Sequence, residues 1–379
     1  MPQPSEYAKA GVDYRLLEPF KGRMLSVVYE TAHFPERRRV RIERELFHAH
    51  GGVFGYLGDD QPLWCQTHEG LGNKNWIAEW MYENDGTGET NYDSIAVDLA
   101  NMATNDNAAQ GALPVTYTDE VAAGDSEWFD DERRARDLAE GLLRACRAAG
   151  MALVAGESPA LRYLVNARQP VKSAPVLSGC CVGIISPRER LVDGRRLCAG
   201  DRIIGITSSG VHANGISLII KKVMHRKEKF LKKLPSGESV GKAVLRPTHC
   251  YVSAVEELLE SEVDVHAFLP GTGSGVAKLA FDKRPYTYRV HSWPEVPEIF
   301  HYLREDCGIS LPECLSVFNW HIGYYVFVPP KHVDRALAAI NVSREYRASE
   351  VGRVEEGERC TIFQPEGFKN PIVLPPPGA

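Results

Sequence analysis

The stretch Asp201-Arg-Ile-Ile-Gly-Ile-Thr-Ser-Ser-Gly-Val-His-Ala-Asn-Gly-Ile-Ser-Leu-Ile-Ile-Lys-Lys-Val223 decides how the chain is read. Its run from Arg202 to Thr207 predicts a buried strand. Ser208, Ser209 and Gly210 predict a turn, and a helix is expected to open near Asn214 or Gly215. Such a turn leaves backbone N–H groups free and the first helical turn adds more, which makes an anion site. His212 sits in the turn, where an imidazole can steer or protonate a phosphorylated substrate. A hydrogen-bonded turn histidine in ordinary α/β architecture gives the same pattern, so its neighbours must decide.

Working outward, Val263 to Leu279 repeats the theme as strand, glycine-rich turn and helix, with Gly271, Thr272 and Gly273 as a second anion cradle. Phe318 to Pro329, containing Asn319, is a turn into a strand, Val333 to Ile340 a helix and Ala348 to Val354 a short strand. Thr248 to Leu259 is a helix, and the basic run Lys221 to Lys233 a solvated helix end. The proline-rich segment from 363 is expected to be an extended tail.

Upstream, the charge-dense Phe34 to Glu45 mixes signs and reads as a solvated face. Gly51, Gly52 and Gly55 form a loop that lets a backbone approach a phosphate closely. After a strand at Pro62 to Thr67, the loop His68 to Asn75 gathers Glu69, Gly70, Gly72 and Lys74, a set suited to a metal-bound polyphosphate but without P-loop spacing. Ser94 to Thr104 has the small-residue periodicity of a packed helix. It delivers Asn105 and Asp106, followed by Gly111 and Pro114 and a strand at Val115 to Thr118. Asp130 to Ala149 is the clearest amphipathic helix, with Gly150 as its C-cap. A strand at Met151 to Ala155 runs into a turn with Glu157 at its apex. Residues 160–175 read as a loop and Val176 to Ile185 as a strand, and the domain boundary falls after 186.

With 379 residues the chain has room for roughly two domains. Its 44% hydrophobic and 25% charged content is that of a globular protein. A net charge of -6 gives no general case for nucleic acid. No apolar run approaches a membrane span and no secretory signal is visible. Nine scattered cysteines, without metal-ligand spacing, fit reduced thiols in a cytoplasmic protein.

Taken in order, these pieces resemble the aminoimidazole ribonucleotide (AIR) synthase family and its ATP-binding superfamily. The resemblance spans Tyr7 to about Arg353 and is carried by Ala10-Gly-Val-Asp13, Glu69-Gly-Leu-Gly-Asn-Lys74, Asn105-Asp-x4-Gly-Ala-x-Pro114, Gly156-Glu157, Ser208-Ser-Gly-Val-His-Ala-Asn-Gly215, Val263-Asp-Val-His-Ala267 and Phe318-Asn319-x3-Gly323. It implies an α/β fold of two domains. An N-terminal ATP-binding domain, 1–186, would pair into a β-barrel across a homodimer. A C-terminal domain, 187–362, would carry a sheet covered by helices, and 363–379 would be the tail. It further implies ATP in a cleft between the domains and Mg²⁺ on Asp106 and Glu69. The glycine loop, Lys74, Asn105, Gly111 and Glu157 would enclose the nucleotide, and His212, Asn214, Ser208, Ser209, Gly271 to Gly273 and Asn319 would meet the substrate. The implied activity is ATP-dependent closure of the imidazole ring of formylglycinamidine ribonucleotide, with no nucleic-acid or membrane partner.

Three departures stand out. Glu69 replaces the family's aspartate, Ser158 to Tyr163 replace a Thr-Ala-Glu-Met-Pro-Gly stretch, and Pro270 stands where the family has a histidine. They keep two alternatives open: a paralogue that phosphorylates a different amide, amine or carboxylate, and a non-catalytic nucleotide-binding subunit.

Overall fold

The computed structural model describes residues 10–43 and 52–378. The chain divides into two compact units, 1–107 with 112–188, and 108–111 with 189–379. Among the described residues no helix is long and apolar enough to cross a membrane.

In the first unit, helix α1 (Tyr14–Thr31) is capped by the Asp13 carboxylate, which accepts from the Arg15 amide. A two-stranded ribbon follows, β1 (Val40–Ile42) with β2 (Phe54–Tyr56). The main sheet has the order β3 (Leu63–Gly70), β6 (Val176–Ile185), β4 (Leu113–Ala122), β5 (Ala152–Glu157), the β4–β5 pair being parallel. Alternation divides its faces. Tyr117 and Cys181 point to a covered face, where helix α3 (Tyr92–Ala108) packs and the Tyr117 hydroxyl donates to the Leu99 carbonyl at 3.2 Å. Trp64, Gln66 and His68 point the other way and are exposed. Helix α2 (Lys74–Asn84) lies beyond β3, and α4 (Glu132–Ala149) packs on α1, capped by Asp131 at its start and Gly150 at its end.

The second unit is built on a seven-stranded sheet of order β13 (Ile372–Leu374), β12 (Cys360–Phe363), β9 (Tyr286–Val290), β11 (Ala348–Glu356), β7 (Arg202–Thr207), β10 (Ile322–Val328), β8 (Ala267–Pro270). Every residue of β10 is buried, as expected for a central strand of apolar composition. Its helices are α5 (Ile216–Met224), α6 (Val240–Leu245), α7 (Val252–Glu260), α8 (Glu298–Glu305), α9 (Leu311–Val317) and α10 (Val333–Ile340).

Several expectations need correction. The segment read as a tail supplies β13, which pairs antiparallel with β12 and buries Leu374. The charge-dense stretch contains Arg38, buried as it donates to the carbonyls of Pro114, Ala149 and Gly150. β3 runs on through Gly70, so Glu69 and Gly70 are strand residues, and Glu157 ends β5 rather than crowning a turn. The element after the Gly271 turn is a short 3-10 helix, Gly275–Phe281, which offers less of an anion site than an α-helix would.

Candidate functional site

In the second unit the ends of three neighbouring strands bring together the residues picked from sequence. The Asn319 amide nitrogen donates to Ser208 Oγ at 2.8 Å and to the Gly210 carbonyl at 3.0 Å. Its oxygen accepts from the His212 amide at 3.2 Å. Ser208 Oγ donates to the Gly210 carbonyl, and Ser209 Oγ to the Pro247 carbonyl at 2.6 Å. His212 is only 3% exposed, and its Nδ1 sits 2.9 Å from the Gly271 carbonyl, to which it donates in the tautomer that satisfies both atoms. Asn214 lies half-buried beside Gly273, and Thr272 Oγ1 accepts from Lys278. The turn Asn319 to His321 carries Trp320 and His321 at positive φ. Burial pushes His321 down to about 4, helped by nearby His249, so its ring is neutral at physiological pH. His212 is therefore a buried tie between two turns.

In the first unit the expected nucleotide residues divide. Lys74 is fully buried and its Nζ lies 2.7 Å from Asp98 Oδ2, also fully buried, so this cation belongs to an interior ion pair rather than an open loop. Asn105 is buried and Asp106 half-buried near the end of α3. Glu69 is half-buried on the covered face of β3, while Gly70 and Gly72 are exposed. Gly55 belongs to β2 and pairs with Arg41, and Gly51 lies outside the described residues. Gly111 is hemmed in by backbone: a Cβ there would meet the Arg190 carbonyl oxygen at 2.3 Å.

Gly52 and Glu157 line a cavity of about 470 Å³ between α1 and β5, together with Lys21, Val28, Glu43 and Asp119. Asp119 was not picked out from sequence. It is 7% exposed, its Oδ1 makes no hydrogen bond among the described residues, and burial pushes its carboxyl up to about 7. Gly156 is opposite it in the parallel pair, and a Cβ at 156 would stand 2.5 Å from Oδ1. The available signal was an acid at an inward position of an otherwise apolar strand, between Tyr117 and Val121.

Among the described residues, one set of three ligand-type side chains lies within 4.8 Å: Cys198, Asp201 and His266. The sequence spacing had shown no such cluster. His266 Nδ1 is 2.8 Å from Asp201 Oδ2 and its Nε2 3.3 Å from Asp264 Oδ2, so the ring is held between two carboxylates. Glu69 and Asp106 join no such set. Two carboxylates are a sparse set for magnesium, an ion that usually keeps several waters and takes substrate phosphates.

Residues 58–185 match the family described as AIR synthase related protein, N-terminal domain, and residues 199–364 match its C-terminal domain. A phosphoribosylformylglycinamidine cyclo-ligase of Magnetococcus marinus is 30% identical over 96% of this chain and 97% of its own length. That of Methanothermobacter thermautotrophicus is 32% identical over 78% and 83%. Among solved structures, Escherichia coli HypE, a hydrogenase maturation protein, aligns with a TM-score of 0.55 at 14% identity over 93% of this chain and 96% of that one. Thiamine-monophosphate kinase from Stenotrophomonas maltophilia aligns with 0.55 at 15% identity over 94% and 96%. These two likenesses show the fold alone. The full-length match to the cyclo-ligases, together with both family domains in order, establishes that the chain belongs to the AIR synthase family.

Proposed function

We propose that the chain is an ATP-dependent cyclo-ligase that converts formylglycinamidine ribonucleotide to aminoimidazole ribonucleotide, releasing ADP and phosphate. The observation that carries this reading is the collinear likeness to cyclo-ligases over 96% of the chain. An amide oxygen is a poor leaving group. Transfer of the γ-phosphoryl group of ATP to it creates a good one, and the amidine nitrogen then attacks that carbon, closes the imidazole ring and expels phosphate. The protein's task is to hold two anionic ligands in line and exclude water.

In this reading Asp106 and Glu69 hold Mg²⁺, which would neutralise phosphate charge. Glu157 and Gly52 border the nucleotide. The Ser208 to Asn214 turn, Gly271 to Gly273 and Asn319 meet the substrate through backbone amides and small polar side chains. Lys74, through its pair with Asp98, fixes the start of α2 against α3 and thereby supports Asp106 on the same helix. The working form is a homodimer in the cytoplasm.

The test is a steady-state assay with ATP, Mg²⁺ and formylglycinamidine ribonucleotide, following ADP and imidazole product together. Coupled formation of both, abolished in Asp106→Ala, supports the reading. ADP without imidazole product moves it to a paralogue acting on another amide, amine or carboxylate. Nucleotide binding without hydrolysis moves it to a non-catalytic subunit.

A further inference from the structure

We propose that Cys198, Asp201 and His266 form a binding site for a divalent transition-metal ion, zinc by the chemistry of the set. The Cys198 thiolate, one Asp201 oxygen and His266 Nδ1 are its ligands. The cyclo-ligase reading is not needed for this assignment.

The first argument is convergence. One ligand atom from each of the three side chains lies within 4.8 Å of the others. Cys198 Sγ is 3.6 Å from Asp201 Oδ1, and His266 Nδ1 is 2.8 Å from Asp201 Oδ2. Zinc bonds of about 2.0 Å to nitrogen and oxygen and about 2.3 Å to sulfur set tetrahedral ligand atoms about 3.3–3.6 Å apart. The sulfur and oxygen already have that spacing, and the nitrogen must withdraw from the carboxylate by about half an ångström. Folding makes the set: Asp201 directly precedes β7, His266 directly precedes β8, and both strands run antiparallel to β10, which lies between them. The two strand entries therefore share one end of the sheet. The Ser208 and Gly271 turns occupy the other, so the site is separate from the one described above.

The second argument is valence. Both ring nitrogens of His266 face carboxylates, Nδ1 that of Asp201 and Nε2 that of Asp264 at 3.3 Å, yet a neutral imidazole has one N–H to donate. A metal on Nδ1 takes the lone pair there and leaves the single N–H on Nε2 for Asp264. In such carboxylate–histidine–metal arrangements the outer carboxylate fixes the ring. Asp264 is itself ion-paired with Arg196, and Asp201 Oδ2 accepts from the Cys198 amide at 2.9 Å, leaving Oδ1 towards the sulfur. Arg284 donates to the Gly194 and Leu197 carbonyls at 2.8 and 2.9 Å, which pins the backbone leading to Cys198. An imidazolium is the one way to meet both carboxylates without a metal, and the experiment separates the two.

The third argument is donor type and access. Thiolate and imidazole favour zinc and its neighbours over magnesium or calcium, which take oxygen ligands. Cys198 is exposed while Asp201 is buried, so an ion can approach on the sulfur side and water can fill the fourth position.

The experiment titrates the metal-stripped full chain with cobalt(II), a spectroscopic stand-in for zinc, in the absence of nucleotide. The expected result is saturation at a single cobalt per chain with a thiolate-to-cobalt charge-transfer band, bleached when zinc is added. Cys198→Ala, at an exposed position, should fold, lose the band and bind zinc about a hundredfold or more weakly in competition with a chromophoric chelator. A carboxylate-only magnesium site would give no such band. A band of wild-type strength in Cys198→Ala would assign the sulfur to another cysteine and overturn the proposal. Wild type without a band at millimolar cobalt would overturn it as well, leaving His266 as an imidazolium between two carboxylates.

Discussion

Two buried ionisable side chains show how far a residue's role depends on what covers it. Asp119 has its carboxyl raised from 3.8 to about 7 by burial. An acid with a raised folded-state pKa is protonated in the native state while the unfolded chain has already lost its proton. Native stability therefore falls as pH rises from about 4 to about 7, by a few kcal/mol in all, and is flat above that window. Asp119→Asn removes this dependence. In urea melts the variant is expected to match wild type near pH 4 and to be more stable at pH 8, so equal stability at pH 8 would contradict the assigned burial. Lys74 makes the opposite case. Its ammonium faces Asp98 at 2.7 Å with both side chains fully buried. Removing one partner of such a pair costs about 3–5 kcal/mol because the other charge is stranded. Lys74→Met should lower the denaturation midpoint sharply, with Asp98→Asn in the same chain restoring part of the loss. An unchanged midpoint with a raised KM for ATP would return Lys74 to the nucleotide. In the sequence Lys74 reads as ligand-facing because it follows two glycines, whereas the structure buries it at the start of α2 against Asp98; Asp119 drew no reading at all.

At the scale of elements, legibility tracked periodicity. Val176–Ile185, Arg202–Thr207 and Val333–Ile340 were read with their observed bounds, since an apolar run or a clean helical stripe between turn residues leaves little choice. Helix α2 was missed because Lys74 through Met81 are all buried, which erases the amphipathic stripe. Helix α1 was missed because Pro19 lies inside it and disguises the period. Residues of the second-unit site were legible as a set, but the hydrogen bonds that bury His212 between Asn319 and Gly271 join chain positions about a hundred and about sixty residues apart, and no spacing reports them. The packing of α4 on α3 gives a further test. Gly141 is interior to α4, where alanine would ordinarily add about 1 kcal/mol of helix propensity. Its missing Cβ would lie 2.2 Å from the Asp93 carbonyl oxygen and 2.7 Å from the Ala96 Cβ. Gly141→Ala is thus expected to destabilise by about 1–3 kcal/mol despite its better propensity, read as a lower urea midpoint. A gain in stability would mean that the two helices separate without cost.

For the molecule as a whole, the first unit's sheet holds the decisive surface. Its covered face is sealed by α3, but the other presents Trp64, Gln66 and His68 on β3, with Val176 exposed and Cys180 and Val182 half-buried on β6. Trp64 is in edge contact with Tyr56 and tilted against Phe54, and still remains 45% exposed. An antiparallel pair with apolar residues on its open face is stabilised by burying them, and a second copy of the same sheet supplies an equally apolar face. The proposed homodimer accounts for this surface: sedimentation velocity should give a mass of twice the 42.1 kDa chain at micromolar concentration. Aromatic residues at interface centres carry a disproportionate share of binding free energy, commonly about 2 kcal/mol or more. Trp64→Glu should therefore weaken the dimer by at least tenfold and shift the sedimenting species towards the monomer, while a control such as Val342→Glu, at an exposed position of the second unit, should leave it dimeric. A wild type that sediments as a monomer at high concentration, or a Trp64→Glu chain as dimeric as wild type, would place the association elsewhere and leave the open face of the sheet without its proposed occupant.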